Sequence, residues 1–257
     1  MIVRKTAAEV DTMARAGEVV ASTLDLMEQS ARPGLTTGEL DGIAEQHIRS
    51  FGGVPTFKGY RGFPGSICAS PNDMIVHGIP GAYRLAEGDL LSVDVGVTLD
   101  GYVADSAVTI PIGQVSDEAL KLVEVCRLSL EAAIRQCRGG NRLGDISHAV
   151  QEVVEVHGFG VVRALVGHGV GRSMHEDPQI PNYGPAGRGP KLAEGMVFAI
   201  EPMITAGGWE VRGGDDGWAV YTDDGSLAAH CEHTVAITNG EPRVLTLRRT
   251  ARRVATG

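Results

Sequence analysis

The feature that most constrains this 257-residue chain is that it repeats itself. Leu85-Ala86-Glu87-Gly88 recurs as Leu192-Ala193-Glu194-Gly195, 107 residues later. Each copy leads into an apolar run, Leu90 to Val93 and Met196 to Ile200, that reads as a buried strand. Each run arrives at a carboxylate, Asp94 in the first copy and Glu201 in the second. Upstream the offset persists within one residue. Glu18, Leu24, Arg32, Gly34, Gly38 and Glu39 match Glu124, Leu130, Arg138, Gly140, Gly144 and Asp145. In both copies a helical stretch ends near a glycine, and a second helix starts through Thr37 or around Leu143. Those second helices close on Phe51-Gly52 and His157-Gly158, with glycine just past the last turn. Downstream, Asp105-Ser106-Ala107-Val108 resembles Glu232-His233-Thr234-Val235 at an offset of 127, so the second half holds about twenty extra residues. The expected architecture is an α+β (α/β) domain over residues 1–247. In it two helix-helix-strand halves, about 1–115 and 116–247, face each other across a pseudo-twofold axis around a central antiparallel sheet.

A chain of this length can bury about 75% of its unfolded surface and needs no disulfide or structural metal to fold. Its net charge of −9 argues against general nucleic-acid binding, which requires clustered Lys and Arg. The one basic cluster, Arg248, Arg249, Arg252 and Arg253, lies in the 248–257 tail and reads as a frayed, solvated end. Cys68, Cys126, Cys137 and Cys231 form no CxxC pair, and Cys126 and Cys137 lie in a helical stretch where buried thiols are expected, which suits a reducing compartment. The N-terminus has no apolar core for a signal peptide, and no run approaches the length of a membrane span. A cytoplasmic protein, monomeric by default, is expected.

The acids carry the chemistry. Asp94 and Asp105 flank Asp100-Gly101, a strong hairpin signal, so with an even-length loop both lie on one face of the hairpin, opposite or diagonal. Two ionised carboxylates placed there repel unless a proton or a cation separates them. Asp94 follows an apolar run, where an unpaired charge costs several kcal/mol or more. Glu201 and Glu232 repeat the problem in the second half. Two divalent cations would balance the four charges, and few Lys or Arg lie beside these acids in sequence. Gly167-His168-Gly169 places an imidazole between two glycines, and His175 follows seven residues later in a Gly-rich loop. His77 is a third candidate. His230, two residues before Glu232 on a presumed strand, should share its face, and His233 should point away. His47 and His148 lie in the repeated helices and should face solvent; His157 suits a helix C-terminus. The expected protein is a hydrolase built around two adjacent divalent ions.

Asp94, Asp105, His168, Glu201 and Glu232, with His77 and His175, resemble the methionine aminopeptidase family of type I. The local contexts match too: HGIP at 77–80, the acid pair ending in ADS, GHGVGRSMHEDP at 167–178, AIEPM at 199–203 and CEH at 231–233. The resemblance runs from the first helix to about Leu247. It implies the pita-bread fold, which agrees with the repeat. It also implies two divalent ions (Mn, Fe(II), Co or similar), bridged by Asp105 and Glu232. Asp94 completes one ion, and His168 with Glu201 the other. Glu201 is implied as proton acceptor, His175 as the group at the scissile carbonyl and His77 as a contact to the scissile amide. The substrate's free amino group could ligate one ion, so that only the terminal residue is removed. Tyr60, Phe63, Cys68 and Trp218 are implied as the pocket for the methionine side chain. The implied activity removes the initiator methionine from nascent chains and peptides, preferring small second residues, with possible transient ribosome contact.

Three positions depart from the family pattern. Phe57 stands where a smaller residue is usual at the pocket mouth, Met174 where an aromatic is frequent, and His230 where an amide is frequent. The resemblance is to the short bacterial form, for which neither an N-terminal zinc-binding extension nor the type II insertion is expected. The nearest rival is a proline-specific aminopeptidase or prolidase of the same fold, which typically adds an N-terminal domain. A metal-free pita-bread binding module is the rival from another class and would lack some of the five ligands.

Overall fold

In the computed structural model, which describes residues 1–248, the two copies of the repeat fold as two corresponding helix pairs. The first pair is α1 (Ala7–Ser30) and α2 (Thr37–Ser50); the second is α3 (Asp117–Gln136) and α4 (Leu143–Val156). Thr6 and Thr36 cap α1 and α2, and Glu9 and Glu39 reach back to the cap N–H, so both first-half helices open on a capping box. Ser116 caps α3. At α4 only the return contact survives: Asp145, the counterpart of Glu39, accepts from the Arg142 N–H at 2.7 Å. The last turns of α2 and α4 pass into Gly52 and Gly158, whose φ of 75° and 82° reverse the chain as expected.

Hydrogen bonds confirm the internal repeat. Gly34 and Gly140 donate to the carbonyls of Leu85 and Leu192. Leu85 and Leu192 donate in turn to Leu35 and Asn141. Thr37 and Leu143 donate to Tyr83 and Pro190. Each LAEG segment is therefore the strap that ties a helix pair to the strand that follows. Each half also owns an apolar core. One packs Leu24, Met27, Leu40 and Ile48 under Leu91 and Val93; the other packs Leu122, Val125, Ile146 and Val150 under Phe198 and Ile200.

Among the described residues all strand pairings are antiparallel, in four hydrogen-bonded groups. Strands Leu90–Leu99 and Tyr102–Pro111 form the long hairpin of the first half. Asp100 and Gly101, with φ of 50° and 77°, make its two-residue turn, the geometry that favours glycine at the second position. In the second half, Val197–Ile200 lies between Val166–Gly169 and His233–Ala236. The halves meet where threonine hydroxyls substitute for ladder bonds. Thr234 Oγ1 accepts from the Asp105 N–H and donates to the Asp105 carbonyl. Thr109 Oγ1 does the same for His230. The extra residues of the second half form the hairpin Val211–Gly213 and Val220–Thr222, which pairs with Met74–Val76 of the first half.

Several sequence expectations change. Arg248 is not solvated: it binds Asp25 at 2.8 Å and also Glu28, both on α1. Arg249, Arg252 and Arg253 lie outside the described residues. His47 does not simply face solvent, since its Nε2 is 2.9 Å from Ser22 Oγ on the packed helix; His148 is exposed. His157 ends α4, its Nδ1 on the Val153 carbonyl at 2.7 Å. All four cysteines are free and buried. Among the described residues no helix is long and apolar enough to cross a membrane.

Candidate metal centre

Strand register decides where the first-half acids point. Gly96 stands opposite Asp105 and Asp94 opposite Ala107, so the two aspartates are diagonal neighbours on one face. Cys68 lies opposite Asp94 on its other flank. Across the second-half sheet His168 pairs with Ala199, and Ile200 pairs with His233. That register sets Glu201 and Glu232, each just outside the last paired residue, side by side. The strand expected through 230–232 is broken: it runs Ala228–His230, then resumes at His233. Glu232 sits in the break, its N–H donating to the Ala107 carbonyl at 3.0 Å.

The glycines around His168 have identifiable reasons. A Cβ on Gly167 would stand 2.6 Å from the Ala199 carbonyl oxygen, and one on Gly169 would run into the Asp177 carbonyl. The His168 Nδ1 is 2.9 Å from the Gly169 carbonyl, so that nitrogen carries the proton. Its Nε2 lone pair then faces the acids, 3.5 Å from Glu201 Oε1 and 3.9 Å from Asp105 Oδ2. Asp105, His168 and Glu232 offer ligand atoms within 4.8 Å of one another. Asp94 and Glu232 both contact the Asp105 carboxyl.

These groups are mutually incompatible as a bare cluster. Burial lifts Asp94 to about 7, although one face of it remains open to the cavity. Burial, reinforced by the neighbouring acids, holds Asp105, Glu201 and Glu232 well above the usual carboxylate range. Burial also depresses His168 to about 4 and His230 to about 3, so neither supplies a compensating positive charge at neutral pH. Asp94 Oδ1, Asp105 Oδ1 and Glu232 Oε1 are buried without a protein hydrogen-bond partner. Unpartnered buried carboxylate oxygens facing an imidazole lone pair fit divalent cations, and the oxygen-rich donor set with one nitrogen suits Mn, Fe(II) or Co chemistry.

The cluster floors a cavity of about 280 Å³. The four acids and His168 line it, with His77, His175, Tyr60, Phe63, Cys68 and Trp218, whereas His230 does not. His77 adopts a left-handed backbone, φ 61°, against Trp218 carried in by the second-half hairpin. Trp218 and Phe63 meet edge to face at 5.1 Å. His175 stacks on Tyr60 at 5.6 Å and approaches the His168 ring at 4.2 Å. Burial lowers the pKa of both His77 and His175, with Arg61 adding to the effect at His175.

The three departures also find their places. Phe57 is buried over Gly96, where a Cβ would stand 2.7 Å from its ring, so the absence of a side chain at 96 makes room for the aromatic. Met174 lines the wall. His230 faces the acids, 3.8 Å from Glu201 and 3.9 Å from Glu232, while His233 turns away to Thr246. Sequence reasoning missed Arg61, Val76 and the 164–166 segment on the cavity wall, and Thr234 behind Asp105. Only Met203 among the unnamed lining residues lies in a motif that was legible, AIEPM.

The comparisons with known proteins concern the chain and its fold. A profile of Metallopeptidase family M24 matches residues 11–239. The chain is 52% identical to a methionine aminopeptidase of Clostridium acetobutylicum, over 96% of this chain and 99% of that protein. The crystal structure of a methionine aminopeptidase from Thermotoga maritima superposes with a TM-score of 0.94 at 44% identity, covering 96% of this chain and 99% of that one. A prolidase from Pyrococcus horikoshii shares the fold, with a TM-score of 0.77 at 20% identity, over 97% of this chain and 65% of the prolidase. Length, site and fold thus converge, and the chain belongs to Metallopeptidase family M24.

Proposed function

We propose that this chain removes the N-terminal methionine from peptides and nascent proteins, preferring small second residues, in the manner of a type I methionine aminopeptidase. The observation that carries the reading is the buried acid cluster with His168 at the floor of a cavity walled by Phe63, Cys68, Met174 and Trp218. Aromatic and sulfur walls suit a flexible thioether, at about 0.3–1.5 kcal/mol for each sulfur–aromatic contact. Residues 1–247 form the catalytic domain.

Asp94, Asp105, Glu232, Glu201 and His168 would hold two divalent ions. When bound, such ions supply an acidified water and a Lewis acid for the scissile carbonyl. Glu201 takes the proton and passes it toward the leaving amine. His175 donates to the oxygen of the scissile carbonyl as charge develops there, and His77 contacts the scissile amide. A cavity of about 280 Å³ closed by the acid floor accepts one terminal residue and explains an exopeptidase. The site of action is the cytoplasm, the chain works as a monomer, and transient contact with the ribosome would deliver nascent substrates.

The test is methionine release from Met-Xaa-Met peptides with Xaa from Gly to Lys, beside Xaa-Pro peptides. Activity confined to small second residues is expected. Preference for the proline substrates would overturn the assignment in favour of a prolidase-like enzyme. Metal analysis after reconstitution with Mn should find two ions per chain; none would leave a binding module.

A further inference from the structure

We propose that Tyr60 is a positioning residue: its hydroxyl, 3.0 Å from His175 Nδ1, holds that imidazole in the tautomer whose proton sits on Nε2. The inference deepens the functional reading, because it rests on His175 acting as donor to the scissile carbonyl. A neutral imidazole has one donor and one acceptor nitrogen, and which is which follows from the hydrogen bond at the other. The phenol hydroxyl can donate or accept at 3.0 Å; as donor to Nδ1 it leaves Nε2–H as the ring's donor, the direction that a contact to the scissile carbonyl requires. Without that bond either nitrogen can carry the proton, and a fraction of the rings presents a lone pair where a donor is needed.

The surroundings leave Tyr60 as the partner for this task. The neighbouring imidazole, His168, has Nδ1 on the Gly169 carbonyl and Nε2 toward Asp105 and Glu201, so neither nitrogen is available to His175. The Tyr60 ring also stacks nearly parallel to His175, 28° between planes, while His168 bounds the ring at 4.2 Å. The loop is built to present this phenol: Gly59, Arg61 and Gly62 all adopt left-handed backbone, with φ of 87°, 49° and 89°. Phe63, three residues on, walls the same cavity with no hydroxyl. The wall and the hydroxyl are thus separable functions, and only position 60 has both.

The experiment uses Tyr60→Phe, which keeps the ring, and Tyr60→Leu, which removes it. Histidine ring nitrogens are first observed by ¹H–¹⁵N NMR in the chelated protein, with His175 assigned through His175→Gln. Wild type should show a single Nε2–H tautomer at His175, and Tyr60→Phe a mixture. With Mn restored, Tyr60→Phe should lose about fivefold in kcat with little change in KM, the equivalent of one net hydrogen bond. Tyr60→Leu should lose the same in kcat and raise KM as well. A wild-type His175 protonated on Nδ1 overturns the proposal, as does a Tyr60→Phe protein with wild-type tautomer and kcat. If no protein releases methionine, the functional reading fails, and the ring spectrum still decides the role of Tyr60. The wild-type spectrum decides it likewise if the variants do not fold.

Discussion

Replacing Asp94 by Asn should stabilise the metal-free protein while impairing the loaded one. Burial raises the Asp94 carboxyl from 3.8 to about 7, against hydrogen bonds from Asp105 and the Val95 backbone that hold it lower. The folded pKa lies above the unfolded one, so the folded state holds a proton that the unfolded chain has already released. Wild type therefore loses stability as pH rises from about 4 through 7, and the loss is complete above 7. Roughly three pKa units at about 1.36 kcal/mol each give a penalty of up to about 4 kcal/mol at pH 8. Asn cannot ionise and escapes it. For a domain of this size the variant should melt up to about 10 °C higher in chelator at pH 8. Near pH 4 the difference should vanish, because the protonated acid and the amide are nearly isosteric. Comparing the variant with wild type cancels the buried histidines, whose depressed pKa values act in the opposite direction in both proteins. Added Mn should reverse the order at pH 8, since wild type regains a ligand charge that the amide lacks. The assay is thermal melting by circular dichroism at both pH values, with chelator and with Mn. A variant that melts at or below wild type in chelator at pH 8 would refute the strain assigned to this cluster.

Other substitutions separate chemistry from scaffold. Asp105→Ala should abolish methionine release, whereas His77→Ala should only reduce it; near-normal turnover by the Asp105 variant would sink the bridging role. Lys5 is buried and donates to Glu176 at 2.7 Å, while the other Glu176 oxygen accepts from the backbone of Arg172 and Ser173. Lys5→Ala leaves that carboxylate without a counter-charge beneath the loop carrying His175 and should cost about 3 kcal/mol in urea unfolding. An unchanged midpoint would show that solvent replaces the lysine. Gly96→Ala places a methyl against the Phe57 ring and should destabilise by about 1–3 kcal/mol. Pairing it with Phe57→Leu should recover part of that loss, and strictly additive effects would mean that the two positions do not compete for space.

Much of the site was legible because metal chemistry needs particular side chains at particular strand positions. The period of a strand put Asp94 and Asp105 on one face, and the two-residue turn at Asp100-Gly101 set their register. The LAEG repeat, likewise, foretold which helices correspond. What failed were inferences from sequence neighbours about distant partners. His47 reads as solvated until Ser22 of the packed helix reaches it, and Arg248 reads as frayed until Asp25 and Glu28 bind it. The Glu232 strand reads as continuous, but the chain must leave the ladder there to turn the acid toward Asp105.

Sequence alone named the candidate donor residues, the order of the acids and the twofold plan, since each depends on residue identity and local periodicity. Tertiary structure decided how the halves join, through Thr234 and Thr109, and what surrounds each ligand. It brought Trp218 to His77 by pairing the second-half hairpin with Met74–Val76, a contact that no spacing encodes. It turned Tyr60 from a wall residue into the partner of His175, 115 positions away. Desolvation and contacts such as Tyr60 with His175 arise where distant segments meet. For that reason the candidate ligands could be named from the chain, while the surroundings that set their protonation and orientation waited for the fold.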